Sequence, residues 1–105
     1  MAFERLVRKL TKENLWLYIL KMLTERSMYP YEIKKILVER FKIQVATVTV
    51  YVVLYKMKGE GLIRLGKRIS VSGRPARTYY EITDEGEETL KRGLKFIKAS
   101  LDRLD

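Results

Sequence analysis

ATVTVYVVLYKMKGEGLI, residues 46–63, is the stretch on which the reading of this chain turns. From Ile43 to Val53 eight of eleven residues are β-branched, and by propensity such a run is a strand. As a strand, Ala46, Val48, Val50, Val52 and Leu54 share one wholly apolar face. As a helix the same residues sort differently: Val50, Val53, Leu54, Met57 and Gly61 fall on one side, with Thr47 at its edge. Gly59 and Gly61 then supply a stop, and Leu62-Ile63 opens the next element. The other side carries Val48, Thr49, Tyr51, Val52, Tyr55 and Lys56, a mixed surface that needs a partner. Local chemistry leaves the two readings level. The flanking sequence decides for a helix over residues 46–58.

Upstream, Phe3, Leu6, Val7 and Leu10 recur at helical spacing, in a segment too short to be stable unless it docks on something. Thr11 reads as the N-cap of a helix from Lys12 to about Glu25, with Leu15, Trp16, Ile19, Leu20 and Leu23 on its apolar stripe. An indole on such a stripe is core or dimer contact more often than the floor of a ligand pocket. Ser27-Met28-Tyr29-Pro30 breaks the pattern, and Pro30 fits the first turn of a new helix to about Phe41. That helix buries Ile33, Ile36, Leu37 and Phe41. It exposes Lys34 and Lys35, either as phosphate contacts or as solvated charge. Residues 42–45 connect it to the opening stretch, so two helices joined by a short turn form a helix-turn-helix candidate.

Downstream, the period changes to two: Ile63, Leu65, Lys67 and Ile69 alternate with Leu62, Arg64, Gly66 and Arg68. A loop over residues 70–76 carries the Ser-Gly turn signal and Pro75, and Arg77-Thr78-Tyr79-Tyr80-Glu81-Ile82 reads as a second strand. This hairpin holds Arg64, Lys67, Arg68, Arg74 and Arg77, with no Asp or Glu between Ile63 and Tyr80. Thr83 or Asp84 caps a final helix, Asp84 with Glu87 as a capping box, and Asp84, Glu85, Glu87 and Glu88 complement its dipole. Leu90, Leu94, Ile97, Leu101 and Leu104 follow at steps of four, three, four and three, a coiled-coil-type seam for dimerisation. The alternative is that this helix packs along its own domain.

The 105 residues make one domain, with a winged body over 1–83 and a dimerisation helix over 84–105. Lys and Arg number 22 against 13 Asp and Glu, a net charge of +9 that favours a polyanionic partner. With neither Cys nor His, the chain has no disulfide, no ordinary zinc site and no Cys- or His-based nucleophile. Its densest acidic cluster, Asp84, Glu85, Glu87 and Glu88, lies at a helix start, where capping explains it, so an enzyme is not expected, nor a cofactor. No apolar run reaches the ~20 residues of a membrane span and the N-terminus lacks a signal-peptide core, so the expected location is cytoplasmic. Charged residues at 33%, with one Asn and one Gln, resemble thermophile usage.

The fold class expected from this order is mainly α with a β-hairpin, a winged helix-turn-helix with a long C-terminal dimerisation helix. Within it, ILKMLTERSMYPYEI (Ile19–Ile33), VYVVLYKMKGEGLI (Val50–Ile63) and SGRPARTYYEITDEG (Ser72–Gly86) resemble the PadR family of transcriptional regulators, over roughly Leu15 to Leu94. Pro30 stands where the family usually has Gly, and Val52 where it usually has Pro. The end after one terminal helix is similar to the short members, which dimerise through it. The resemblance implies a homodimer on double-stranded DNA, third helix in the major groove and wing in the adjacent minor groove. It names no effector.

On that reading Thr49 and Lys56 are the polar base readers, Tyr51 and Tyr55 reach phosphates, and Val48 and Val52 meet thymine methyls. The reading helix has no Arg, so phosphate contacts are expected to dominate affinity. Lys67, Arg68, Arg74 and Arg77 are the wing's candidates. Arg74 lies in a Gly-Arg-Pro that resembles minor-groove AT-hook segments, and A·T-rich minor grooves attract such cations. A low-specificity architectural DNA-binding protein and a protein–protein adaptor are the competing readings, the second with no need of an acid-free basic wing.

Overall fold

A computed structural model describes residues 1–105. Helix α1 (Ala2–Leu10) leads through a 3-10 turn (Lys12–Asn14) into α2 (Leu15–Leu23), followed by α3 (Pro30–Glu39) and α4 (Thr47–Gly59). Strands β1 (Ile63–Ile69) and β2 (Arg77–Ile82) form an antiparallel hairpin, and α5 (Asp84–Leu104) ends the chain. The architecture is mainly helical with one two-stranded wing, as the period changes require.

The opening stretch is helical. Val50, Leu54 and Met57 are fully buried against Leu15, Ile19, Ile33 and Leu37, and that burial outweighs the β-branched propensity of the run. Gly61 alone supplies the stop. Its φ is 78°, its N–H bonds the Lys58 carbonyl, and the Leu62 N–H bonds that of Met57. This is a Schellman closure, for which a left-handed residue is required. Gly59 is merely the last helical residue.

One expected cap is corrected, and of the two offered for the last helix one is found. Thr11 does not cap α2; its hydroxyl donates to the Val7 carbonyl at 2.6 Å and ends α1, while residues 12–14 take a 3-10 turn. At α5 the cap is Thr83, which accepts from the Gly86 N–H at 3.0 Å, so the Asp84–Glu87 box does not form. The Thr83 hydroxyl also donates to the Gly61 carbonyl at 2.6 Å, tying the two helix ends together. Pro30 opens α3 as expected, and Glu32 accepts from the Tyr29 N–H at 3.3 Å.

The hairpin pairs Ile63 with Ile82, Leu65 with Tyr80, Arg68 with Thr78 and Ile69 with Arg77. Between Leu65 and Arg68 a bulge sets Gly66 and Lys67 against Tyr79. Cross-strand partners share a face, so the bulge puts Arg68 with Leu65 and Ile69 with Arg77. Strict alternation would have put Leu65 with Ile69.

Leu90, at the start of the expected dimer seam, is only 6% exposed within its own chain and belongs to the intramolecular core. The exposed part of the seam begins at Leu94. Trp16 is half-buried where α2 meets α5, its Nε1 donating to Asn14 Oδ1 at 3.1 Å and its ring lying over Gly93. Helix α1 buries none of its residues.

Candidate nucleic-acid interface

Helix α4 turns two faces to two environments. With Val50, Leu54 and Met57 inward, the 100° step carries Val48, Val52 and Tyr55 to the opposite side, where all three are exposed. Thr49 and Lys56 line one edge of that surface and Tyr51 the other, and these are exposed as well. Val48 at 73% and Tyr55 at 79% are more exposed than folding alone explains, since nothing in the chain covers them. At its first turn, Lys34 of α3 donates to Thr47 Oγ1 at 3.1 Å, a surface bond across the helix-turn-helix elbow. Lys34 is thereby half-buried and engaged, whereas Lys35 beside it is exposed near Glu39.

The five basic residues of the hairpin are not equivalent. Arg64 Nε bonds Glu81 Oε1 across the strands at 2.7 Å, so its charge is answered inside the wing. Arg77 is half-buried, with its guanidinium 4.6 Å from the centre of the Tyr29 ring. Lys67, Arg68 and Arg74 are exposed and make no ion pair. They form the free positive edge of the wing, and Gly73, at φ 75°, turns the loop that presents Arg74. A salt bridge and a ring contact are not visible in a count of charges.

Between the wing and α4 lies a cleft of about 520 Å³. Tyr51 stands on its α4 side, Arg74 and Pro75 on its wing side, and Tyr29 and Tyr31 at the start of α3. Of the expected site residues the cleft brings together Tyr51 of α4 with Arg74 and Arg77 of the wing; Val48, Thr49, Val52, Tyr55 and Lys56, and Lys67 and Arg68, lie outside it. Its lining has phenols and guanidinium groups and no carboxylate, so every charged group there is a cation. Burial first, and the neighbouring Tyr51 second, hold the Tyr80 phenol above its ordinary range. Tyr29, Tyr31 and Tyr80 were not singled out by the sequence as site residues. The available signal was the density of tyrosine, seven in 105 residues, of which six lie in or beside this surface.

A profile of the family described as "Transcriptional regulator PadR-like family" matches residues 19–92, from the middle of α2 into α5. The chain belongs to this family. As a PadR-like protein it is a transcription regulator and not an enzyme. Among solved structures it is similar to a PadR-like transcriptional regulator from Bacillus cereus, at 30% identity over 89% of this chain and 92% of that one, with a TM-score of 0.70. A PadR family regulator from Eggerthella lenta shares the fold, with a TM-score of 0.82 at 24% identity over 98% of this chain and 88% of that one. So does Bacillus subtilis PadR, whose structure is a complex with operator DNA. That match has a TM-score of 0.69 at 23% identity and covers 76% of this chain and 45% of that one. No curated protein matches the chain. No helix of this PadR-like protein is long and apolar enough to cross a membrane.

Proposed function

We propose that this PadR-like protein is a cytoplasmic, sequence-specific repressor that binds double-stranded operator DNA as a homodimer. Helix α4 enters the major groove and the wing tip the adjacent minor groove. The observation that carries this is the acid-free cleft that sets Tyr51, at the edge of the uncovered outer face of α4, across from Arg74 of the wing, with Lys67 and Arg68 exposed and unpaired on the same hairpin. The operator complex of Bacillus subtilis PadR, on the same fold, supports the reading. On this proposal Thr49 and Lys56 address base edges, Val48 and Val52 meet thymine methyls, and Tyr51 and Tyr55 reach the backbone. Lys35 flanks the elbow as a phosphate contact, and Lys34 as another through the ammonium hydrogens that its bond to Thr47 leaves free.

The second copy is supported by α1 and the distal half of α5. Phe3, Leu6, Leu94, Phe96 and Leu101 are between 47% and 70% exposed, an apolar surface that the chain itself leaves open.

A footprint on the DNA flanking the protein's own gene tests the proposal, together with affinities for that duplex and a scrambled one. A regulator prefers the protected sequence by ~10³ or more, while a ratio within about tenfold overturns sequence specificity. The absence of Arg from α4 favours that second outcome as the alternative, a low-specificity architectural protein on the same fold.

A further inference from the structure

The hairpin is tied to the body of the protein at only one place by backbone bonds. Met28 N–H donates to the Tyr80 carbonyl at 3.1 Å, and Tyr80 N–H to the Met28 carbonyl at 2.8 Å. From Tyr80 toward the tip, β2 has no further main-chain partner outside the hairpin. Side chains take over there, and they converge on Tyr29. Its ring meets Tyr79 edge-on at 5.4 Å between centroids, stacks on Tyr31 at 6.5 Å, and carries the Arg77 guanidinium on its face at 4.6 Å. Arg77 belongs to the last paired rung, opposite Ile69, next to the loop that holds Arg74.

We infer that Arg77 is a positioning residue: its stacking on Tyr29 clamps the distal half of the wing against the start of α3. The clamp sets the angle between the wing tip and α4. The functional half of this inference rests on the DNA-binding reading above. The geometry favours a positioning role, because a half-buried guanidinium held 4.6 Å over a ring centre has given up part of its solvation to that contact. Arg74, three residues earlier and exposed, is the group free to meet a phosphate; Arg77 acts through it. A two-stranded ribbon is marginal alone, so a single side-chain tie near its tip has leverage on how that tip is held. The same clamp forms one wall of the cleft shared with Tyr51, and its release widens the gap that the DNA backbone must bridge.

The test compares Tyr29→Leu, Arg77→Met, their double variant, Tyr29→Phe and Arg74→Ala. Amide exchange across Arg68, Ile69, Arg77 and Thr78 is measured on the free protein. Affinity for the duplex flanking its own gene is measured over a salt series. A clamp predicts that Tyr29→Leu and Arg77→Met speed exchange at these amides alike, and that the double variant goes no further. Tyr29→Phe, which keeps the ring, matches the parent, as does Arg74→Ala in exchange. On DNA, Tyr29→Leu and Arg77→Met weaken binding by a similar factor, about threefold to thirtyfold as for a cation–π pair, and without additivity. If Arg77 touches phosphate itself, Tyr29→Leu keeps its affinity and Arg77→Met alone flattens the salt slope by about 1.8 per dimer. That pattern, or parental exchange in Tyr29→Leu, overturns the clamp. Should the parent bind neither duplex, the regulator reading fails, and the exchange arm still decides whether the clamp exists.

Discussion

Gly86 and Gly59 show how differently one residue type is used in this chain. A Cβ on Gly86 would stand 2.2 Å from the Leu62 carbonyl oxygen and 2.8 Å from Ile82 Cγ1, so the start of α5 lies on the start of β1 only because that atom is missing. Gly59 sits in the last turn of α4 with nothing within 4 Å of such an atom. Gly86→Ala is therefore expected to destabilise by about 1–3 kcal/mol through overpacking against backbone that has no room to yield. Gly59→Ala is expected to stabilise by about 0.5–1 kcal/mol, the cost of glycine's extra freedom in a helix. Urea unfolding reads both as shifts of midpoint at constant slope; equal midpoints would deny the contact with Leu62. Sequence cannot tell the two apart, since each is a glycine among charged residues. Lys42, at φ 59°, is equally silent, as a lysine carries no signal for the left-handed region. Arg77 and Arg64 were legible as cations but not as engaged ones, because Tyr29 and Glu81 lie far from them along the chain.

Helix α4 was legible only through its neighbours. Its β-branched run argues for a strand, and the burial of Val50, Leu54 and Met57 under α2 and α3 reverses that argument. The wing was read from its period and its turn residues, but the bulge at Gly66-Lys67 was not, since nothing local marks where a ladder slips by one. These two elements are expected to answer different experiments. Thr49→Ala and Lys56→Ala, on the exposed edge of α4, should change the ranking of duplex sequences more than mean affinity. Arg74→Ala removes one free cation per protomer. It should weaken all duplexes alike and flatten the slope of log K against log salt by about 1.8 per dimer, at ~0.9 per phosphate contact. Binding curves over a salt series, with specific and scrambled duplexes, separate the classes. If Arg74→Ala keeps affinity and slope, the wing tip does not touch DNA, and the adaptor reading moves ahead.

At the scale of the whole molecule the chain is too extended for its length. A radius of gyration of 15.0 Å, with extents of 55 × 31 × 22 Å, exceeds the ~13 Å of a compact chain of this size. The excess lies in α1, which buries no residue, and in α5, whose buried residues are Gly86 and Leu90 in its first two turns. Beyond them Leu94, Phe96, Leu101 and Leu104 are exposed and Ile97 is half-buried near Leu10 and Trp16. Helices that contribute so little to their own core are stable in water when a partner covers them. A second copy is the expected cover, and it would also place two α4 helices on one duplex. Ile97→Glu together with Leu101→Glu puts carboxylates into that seam, at several kcal/mol if it is buried in the dimer. Sedimentation should then report a monomer. Circular dichroism should show the winged body still folded, because neither position belongs to the intramolecular core. With the dimer lost, DNA binding should weaken far more than either half-site contact accounts for, since the two halves no longer act as one ligand. A variant that sediments as the parent does would mean that the seam faces water or its own chain, and that any dimer is built on another surface.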